Sequence, residues 1–310
     1  MKIGFIGIGT MGTGMALSLR KAGHELAVHD VRQESTRPLL DAGATWAETV
    51  ADIGRGSDVV FTSLPGPKEM QEVGLGEGGL LGSMRAGSTW FDLSTNSPTV
   101  VRDIYKRFKD KGIALLDAPV SGGPEGARSG KLAIYVGGDR EVFDRHKALL
   151  DAVGDQVMYV GTIGAGNSAK LVHNSASLII RMAIAEVFTL GVKAGVEPLE
   201  LWHAIRQGAI GRSRTFDRIG DQYLQDKYEP ASFALRLAHK DLTLGLELGR
   251  QLGVPMKYGE AAHQDLTDAL ERGWGDRDSR SPMRLLNERA GVTIKVSAED
   301  VKKTLARDKN

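Results

Sequence analysis

Short apolar segments alternate with longer amphipathic segments through the first half of the chain. Runs of three to six mostly apolar residues, bounded by glycine, proline or polar residues, predict β-strands, and the segments between them predict helices. The predicted strands are 1–6, 25–29, 44–46, 58–62, 88–91, 113–116, 132–136 and 156–160. This alternation predicts an α/β domain that is built on a doubly wound sheet.

A long apolar segment, residues 161–194, separates the two halves of the chain. It opens with a glycine-containing loop and continues as a helix that is apolar on most sides, which indicates burial on most sides. Asn167 and Ser168 are the predicted N-cap positions, and Gly195 and Pro198 end the helix. Its roughly 27 residues, rising 1.5 Å each, would span about 40 Å, enough to reach from one domain into another.

The second half of the chain repeats apolar residues at helical spacing. The predicted helices are 199–206, 216–223, 233–252, 258–272 and 281–290. We therefore expect three parts: an α/β domain at 1–163, an all-α domain at 164–292 that begins with the long helix, and a charged tail at 293–310. The tail is predicted to be mobile or docked on a partner.

Composition and charge narrow the functional classes. The 310 residues fit two domains, and 41% hydrophobic with 25% charged residues is ordinary for a globular protein. A net charge of +1 provides no basic field for nucleic acid, and the absence of cysteine excludes disulfides, thiolate catalysis and cysteine metal sites. The first residues already form a strand rather than a leader, and no segment has the pattern of a membrane span. We expect a cytoplasmic protein that binds no metal, nucleic acid or membrane.

A glycine-rich turn follows the first predicted strand. Gly7, Gly9 and Gly12 form the pattern G-x-G-x-x-G where that strand meets a helix. In this setting the first glycine allows a tight turn, the second lets a pyrophosphate approach the backbone, and the third lets the helix pack closely on the strand. Together with Thr10 and Met11 they form a predicted dinucleotide site of the Rossmann type at a helix N-terminus. The alternative is a glycine-rich turn that binds nothing.

The second strand ends at an acidic residue. Asp30 follows Gly12 by 18 residues, the position at which a carboxylate hydrogen-bonds the ribose 2′-hydroxyl and repels a 2′-phosphate. We therefore expect NAD as the cofactor. Arg32 leaves NADP open, because a nearby arginine can accept a 2′-phosphate. Otherwise Arg32 is a solvated loop charge or lies over the adenine.

Polar and turn-forming residues follow three later strands. Ligands of a doubly wound sheet bind outside the carboxyl ends of its strands, so Leu64, Pro65 and Thr95 are predicted to contact the cofactor. Ser121–Gly123 exposes backbone N–H groups and a hydroxyl, which make a candidate nest for a carboxylate. The alternatives are ordinary turn chemistry at the first two loops and a flexible loop at the third.

One lysine lies near the predicted start of the long helix. Lys170 is placed in its first turn, where the helix dipole and any desolvation are expected to lower the pKa of the amine. Proton exchange near neutral pH requires such a lysine. Asn174 lies four residues further along and shares the same face of the helix. The alternative is a lysine that snorkels to solvent beside an asparagine.

Charged residues also interrupt the apolar pattern of the helical half. Lys240 and Asp241 lie inside the predicted helix 233–252, either as part of a site or as the solvated stripe of an amphipathic helix. Arg212 and Arg214 either bind an anionic group of a substrate or lie on a surface loop.

Four motifs occur in order: GFIGIGTMGTGMA at 4–16, DAPVSGG at 117–123, GxxGxGxxxKxxxN at 161–174 and FxxxxxxKD at 233–241. With them the chain resembles the β-hydroxyacid dehydrogenases, the family of 3-hydroxyisobutyrate dehydrogenase, tartronate semialdehyde reductase and the glyoxylate/succinic semialdehyde reductases. The resemblance covers about residues 1–291, and the third motif is the most diagnostic. The chain departs from the family at His173, where many members have a second asparagine. We expect His173 to be a helix-packing residue, and the alternative is assistance in proton transfer.

The resemblance implies roles position by position. It implies that Lys170 is the catalytic residue and that the protein is a homodimer or homotetramer with a Rossmann domain and a helical domain. The residues implied to hold the substrate or line its pocket are Ser121, Gly122, Gly123, Asn174, Phe233 and Asp241. Those implied for the cofactor site, beside the glycine-rich turn, are Leu64, Pro65, Thr95 and Lys240.

The resulting hypothesis is reversible hydride transfer between nicotinamide and the carbinol carbon of a small anionic β-hydroxy acid, or the matching semialdehyde. Neutral Lys170 would accept the hydroxyl proton during oxidation, and its ammonium form would polarise the carbonyl during reduction. Candidate substrates are 3-hydroxyisobutyrate, glycerate or tartronate semialdehyde, γ-hydroxybutyrate and threonate. Two alternatives stay open: an imine reductase, which normally lacks a lysine at this position, and a non-catalytic NAD-binding scaffold.

Overall fold

The computed structural model describes residues 1–208, 211–213, 219–253 and 256–306. The chain forms two compact units, Met1–Val172 and His173–Asn310. The first unit is α/β and the second is helical, which confirms the predicted fold class.

Within the described ranges, nine strands form one sheet in the order β3-β2-β1-β4-β5-β6-β8-β7, with β9 against β8. The strands are β1 Lys2–Ile6, β2 Glu25–His29, β3 Thr45–Trp46, β4 Val59–Thr62, β5 Thr89–Asp92, β6 Ala114–Asp117, β7 Val120–Ser121, β8 Ala133–Gly137 and β9 Gln156–Gly161. Strands β1 to β6 are all parallel, whereas β8 runs antiparallel to β6 and to β7. The eight predicted strands are therefore present, and β7 was not predicted.

Both faces of the parallel sheet are covered, as expected for a doubly wound fold. Successive strand residues point to opposite faces. Phe61 and Phe91 belong to one buried cluster, and their neighbours Val60 and Trp90 belong to another. The helices of this unit are α1 Thr10–Lys21, α2 Arg37–Asp41, α3 Val50–Gly56, α4 Pro67–Leu75, α5 Leu80–Ser83, α6 Pro98–Asp110, α7 Gly123–Ser129 and α8 Arg140–Asp151.

The long helix, α9, runs from Ala165 to Lys193. Its end agrees with the prediction, but it begins two residues before Asn167, the earlier of the two predicted N-caps. Lys170 is therefore the sixth helical residue and lies beyond the first turn. The helix dipole acts mainly on the terminal turn, so the dipole argument for Lys170 is wrong.

The second unit continues with α10 Pro198–Gln207, α11 Leu235–Gln251, α12 Lys257–Glu271, α13 Met283–Ala290 and α14 Ala298–Ala306. Four of these match predicted helices. Of the predicted helix 216–223, residues 216–218 lie outside the described residues, and 220–223 form turns. Helix α14 lies in the segment expected to be a tail, where Ile294, Val301 and Thr304 are buried. The charged segment thus adds buried residues to the helical unit. No helix among the described residues is both long and apolar enough to cross a bilayer.

Candidate active site

The glycine-rich turn leaves open space at the start of α1. A Cβ atom on Gly7, whose φ is +92°, would lie 2.2 Å from the carbonyl oxygen of Ser63, and one on Gly12 would lie 1.9 Å from the carbonyl oxygen of Gly7. The fold itself therefore requires both of these glycines. A Cβ on Gly9 would meet no atom within 4 Å. The open space beside Gly9 lies at the N-terminus of a helix, and helix N-termini of this kind bind phosphate groups in other proteins.

The carboxylate of Asp30 ties the end of β2 to this turn. One oxygen accepts a hydrogen bond from the backbone N–H of Ile8 at 2.7 Å, and the other accepts from the backbone N–H of Arg32 at 2.8 Å. A carboxylate has about four acceptor positions, so the ribose hydroxyl expected here would be an additional donor. The side chain of Arg32 is exposed beside it, as is Thr10 on the turn, and Met11 is half-buried.

The loop after β5 is organised by a buried carboxylate. Asp92 accepts hydrogen bonds from the hydroxyls of Thr62 at 2.7 Å and Ser94 at 2.6 Å. Asn96 Nδ2 donates to the second Asp92 oxygen at 2.6 Å. Ser94 Oγ also accepts the backbone N–H of Leu64 at 2.8 Å, which links this loop to the loop after β4. Burial raises the pKa of Asp92, although these donors oppose the shift.

The three predicted cofactor contacts lie on these two loops. Leu64 and Thr95 are partly exposed and Pro65 is exposed. The loops follow the carboxyl ends of adjacent parallel strands, β4 and β5, so the structure brings them together at one edge of the sheet. This is the edge at which doubly wound folds bind nucleotides.

A second buried carboxylate, Asp117 at the end of β6, holds the start of α9. Its oxygens accept the backbone N–H groups of Gly164 at 2.7 Å and Asn167 at 2.6 Å. Asn167 Oδ1 accepts the backbone N–H of Asn96 at 2.6 Å, so the first turn of α9 is also bonded to the loop after β5. Burial raises the pKa of Asp117 to about 6, and the nearby charge of Asp92 adds to the increase.

Two glycines allow this arrangement: Gly166, in the motif at 161–174, and Gly137, at the end of β8. A Cβ on Gly166 would lie 2.3 Å from the carbonyl oxygen of Tyr135 and 2.6 Å from that of Asp117. A Cβ on Gly137 would lie 2.5 Å from the Asp117 carboxylate. The first turn of α9 therefore meets β6 and β8 backbone to backbone.

Sequence reasoning missed the hydrogen bonds that build this part of the site, which are made by the side chains of Asp92, Asn96, Asp117 and Asn167. Asp117 had a signal, because it opens the DAPVSGG motif and ends a strand. Asn167 was predicted as a local cap, but its side chain bonds the loop after β5.

The predicted carboxylate nest forms part of a strand and a helix. Ser121 lies in β7 and pairs with Ala133, and α7 begins at Gly123. The alternative of a flexible loop is therefore wrong. Gly122 and Gly123 are exposed and Ser121 is half-buried. Carboxylate binding at these residues stays a prediction.

Lys170 is buried, with 7% of its surface exposed. This burial contradicts the alternative in which its side chain snorkels to solvent. Asn174 follows one turn later on the same continuous helix. Residues four apart lie on one helix face, so both side chains leave α9 in similar directions.

Asn174 is oriented by the pair of charged residues on α11. Its Nδ2 donates to one oxygen of Asp241 at 2.5 Å, and Lys240 Nζ lies 2.7 Å from the other. The Asp241 side chain is only 4% exposed, so the solvated-stripe alternative is wrong for it. His173 is exposed, and its Nδ1 lies 3.1 Å from Asn174 Oδ1. The expected packing role of His173 is therefore wrong.

Phe233 precedes α11, and hydrogen bonds of its own backbone groups hold it in place. Its N–H donates to Asp278 at 3.3 Å, and its carbonyl accepts the N–H of Ser279 at 2.7 Å. Burial alone would raise the pKa of Asp278, but the Arg280 guanidinium at 2.9 Å and further hydrogen bonds hold it below its usual range.

Two arginines, Arg212 and Arg214, were predicted either to bind an anionic group of a substrate or to lie on a surface loop. Arg212 is exposed, and its Nε donates to the carbonyl of Gln207 at 3.0 Å. Arg214 lies outside the described residues.

Two family models match consecutive parts of the chain. The NAD-binding domain of 6-phosphogluconate dehydrogenase matches residues 2–161, and the NAD-binding domain of NADP-dependent 3-hydroxyisobutyrate dehydrogenase matches 164–286.

Similar proteins cover nearly the whole chain. A 2-(hydroxymethyl)glutarate dehydrogenase of Eubacterium barkeri is 33% identical, over 95% of this chain and 97% of that protein. A 2-hydroxy-3-oxopropionate reductase of Escherichia coli is 35% identical, over 91% and 96% respectively. The structure of a Mycobacterium tuberculosis 3-hydroxyisobutyrate dehydrogenase with L-serine is similar at a TM-score of 0.83 and 26% identity, over 92% of this chain and 98% of that one.

Proposed function

The chain belongs to the β-hydroxyacid dehydrogenase family, and from that premise we propose that it interconverts a small 3-hydroxy acid and its semialdehyde. As a member it is an NAD(P)-dependent hydroxy acid dehydrogenase. The compounds named for its relatives share one feature. 2-(Hydroxymethyl)glutarate, 3-hydroxyisobutyrate and L-serine each carry a hydroxymethyl group on the carbon next to a carboxylate, and 2-hydroxy-3-oxopropionate carries the corresponding aldehyde. We therefore propose a 2-substituted 3-hydroxypropanoate as the substrate class.

The observation that carries the proposed mechanism is a buried lysine one helical turn before an oriented asparagine. Lys170 Nζ takes the hydroxyl proton of the substrate during oxidation and returns it during reduction. Asn174 Nδ2 is already bonded to Asp241, so its remaining donor and acceptor positions face in defined directions. Asn174, with Ser121–Gly123, holds the substrate carboxylate in this proposal.

The glycine-rich turn, Leu64, Pro65, Thr95 and Lys240 hold the cofactor in this proposal. A bound nicotinamide supplies the hydride acceptor. The open space at Gly9 and the position of the two loops at the carboxyl ends of β4 and β5 support this assignment. NAD is proposed over NADP, because a carboxylate at the end of the second strand of such folds disfavours a 2′-phosphate, and Asp30 has this position in the sequence.

Replacement of the lysine tests the function. In Lys170→Met we expect kcat to fall by about 10²–10⁴-fold, the usual contribution of a general acid–base group, while the Kd for NAD changes less than about twofold. Lys193→Met is the matched control, since Lys193 lies at the other end of α9 and is exposed. The assay is NADH and NADPH formation with 3-hydroxyisobutyrate, glycerate, L-serine, 2-(hydroxymethyl)glutarate, γ-hydroxybutyrate and threonate.

Near wild-type turnover of Lys170→Met would refute the role of the lysine. Turnover of cyclic imines without turnover of any hydroxy acid would favour an imine reductase, and cofactor binding without turnover would favour a scaffold.

A homo-oligomer is also part of the proposal. Ala176, Ile180 and Ala183 are exposed at positions i, i+4 and i+7 of α9, so they form an apolar stripe on one face of the helix. A stripe of this kind suits contact with a second copy of the chain. The absence of cysteine is compatible with the cytoplasmic location that we propose.

A further inference from the structure

We propose that Asp117 and Asn167 are positioning residues that hold the start of α9, and through it Lys170, against the loop that carries Thr95. The inference rests on the proposed function, because it assumes that Lys170 exchanges a proton with the substrate.

The first argument is the origin of the helix cap. The first backbone N–H groups of a helix have no partner within the helix, and a side chain from the preceding loop usually satisfies them. In α9 the acceptor is Asp117, 47 residues before Gly164 and 50 before Asn167. This acceptor belongs to strand β6. The cap therefore stabilises the first turn of the helix and also fixes the position of that turn on the sheet.

The second argument is the bond on the other side of the same turn. Asn167 Oδ1 accepts the backbone N–H of Asn96 at 2.6 Å, and Asn96 Nδ2 donates to Asp92. Both Asn96 and Asn167 are fully buried. The turn is thus bonded to the loop after β5, which carries Thr95. Lys170 follows Asn167 by three residues, about one helical turn, so a displacement of Asn167 displaces Lys170.

The third argument is the choice of a carboxylate. Burial of an anion is costly, and this burial raises the pKa of Asp117. An asparagine at this position would avoid the charge, but it has one acceptor oxygen. Its amide N–H₂ would face either Gly164 N–H or Asn167 N–H, donor against donor. Two separate oxygens are required to hold both ends of the turn.

The test compares two aspartates that each cap a helix: Asp117, which is buried and uses both carboxylate oxygens, and Asp139, which is exposed and uses one. Asp139 accepts the backbone N–H groups of Glu141 and Val142 at the start of α8, so Asp139→Asn removes the charge from a helix cap elsewhere. In Asp117→Asn we expect kcat to fall about 10- to 100-fold, because a displacement of about 1 Å costs on that scale. The Kd for NAD should change less than about twofold. In Asp139→Asn, kcat should stay within about twofold of wild type.

A second variant covers poor folding of the first. Asn167→Ala keeps the Asp117 carboxylate but removes the bond to Asn96, and it should lower kcat in the same direction. In a Lys170→Met background, Asp117→Asn should have little further effect on the residual turnover, because it acts through Lys170.

Several results would overturn the inference. In the first, Asp117→Asn and Asn167→Ala have the same kcat as the Asp139→Asn control. In the second, kcat, the affinity for the cofactor and the melting temperature of these variants all fall together, which indicates a general structural role. If Lys170→Met itself retains turnover, the proposed function fails and the inference fails with it. If Lys170→Met is inactive and Asp117→Asn is fully active, only the inference fails.

Discussion

Asp30 has a role in the fold beside the role toward the cofactor that we propose for it. The sequence predicted its place at the end of β2 and its role toward a ribose, because both follow from the spacing of a known turn. Its bonds to the backbone N–H groups of Ile8 and Arg32 were not predictable, because they depend on how the turn folds over the strand end. The carboxylate therefore also stabilises the turn.

Cofactor preference is the prediction that belongs to this residue. In Asp30→Asn the charge is lost while one acceptor oxygen is kept, so repulsion of a 2′-phosphate falls and the turn keeps one of its two bonds. We expect the ratio of kcat/KM for NAD over NADP to fall about tenfold, which corresponds to about 1.4 kcal/mol. Arg32→Ala is the matched variant, and it should raise the ratio because a cation available to the phosphate is removed. An unchanged ratio in both variants would mean that other groups decide the preference.

At the scale of elements, strands were easier to predict than the ends of helices. Parallel strands buried on both faces are continuous apolar runs, and β4 and β5 were therefore found within one residue of their ends. Strand β7 has only two residues and its partner is antiparallel, so no run marks it. The start of α9 was misplaced because its cap, Asp117, comes from a distant strand. Local sequence signals contain no information on such a contact.

Helices α11 and α12 share a pair of histidines that gives a pH-dependent contribution to stability. The rings of His239 and His263 are 4.3 Å apart. Thr243 and Thr267 donate their hydroxyls to carbonyls of their own helices, at 2.9 Å each. Their oxygens therefore accept Nε2–H from the histidine of the other helix, at 2.8 and 3.0 Å. In its neutral form each ring therefore carries its proton on Nε2.

The sign of the pH effect follows from their pKa values. Burial lowers the pKa of both histidines, the neighbouring His263 lowers that of His239 further, and Arg250 lowers that of His263. The unfolded chain, with histidine pKa values of about 6.5, thus binds protons that the folded chain does not. This contribution to stability is complete above that pH and is lost as the pH falls below it.

We therefore expect the melting temperature to fall between pH 7 and 5, and to fall less in His263→Gln, by about 2–4 °C. His24→Gln, in the α/β unit, should keep the wild-type dependence. Identical pH profiles for wild type and His263→Gln, measured by scanning calorimetry, would show that the histidine pair does not contribute.

At the scale of the whole molecule, the sequence predicted an α/β unit, a helical unit and one long helix. It did not predict how much of the last segment is buried, because Val301 and Thr304 are separated by charged residues in a short helix. The exposed stripe on α9 was also hidden, since the apolar residues of that helix point to most sides. Only the exposed positions of the helix are available for contact with another chain. Ile180, which is 46% exposed, is the largest of the three stripe residues.

The stripe leads to a prediction about assembly. In Ile180→Glu a charge would be buried in any interface formed by α9, at a cost of several kcal/mol, so we expect a homodimer or homotetramer to dissociate toward monomers. Val196→Glu is the matched control, because Val196 is similarly exposed, at 43%, but lies beyond the end of α9. Light scattering after size-exclusion chromatography measures the mass of each variant. A monomeric wild type, or an Ile180→Glu variant that keeps the mass of the wild type, would contradict the assignment of this stripe to an interface. If the mass of Ile180→Glu falls while its kcat stays at the wild-type value, then α9 contributes to assembly and to catalysis independently.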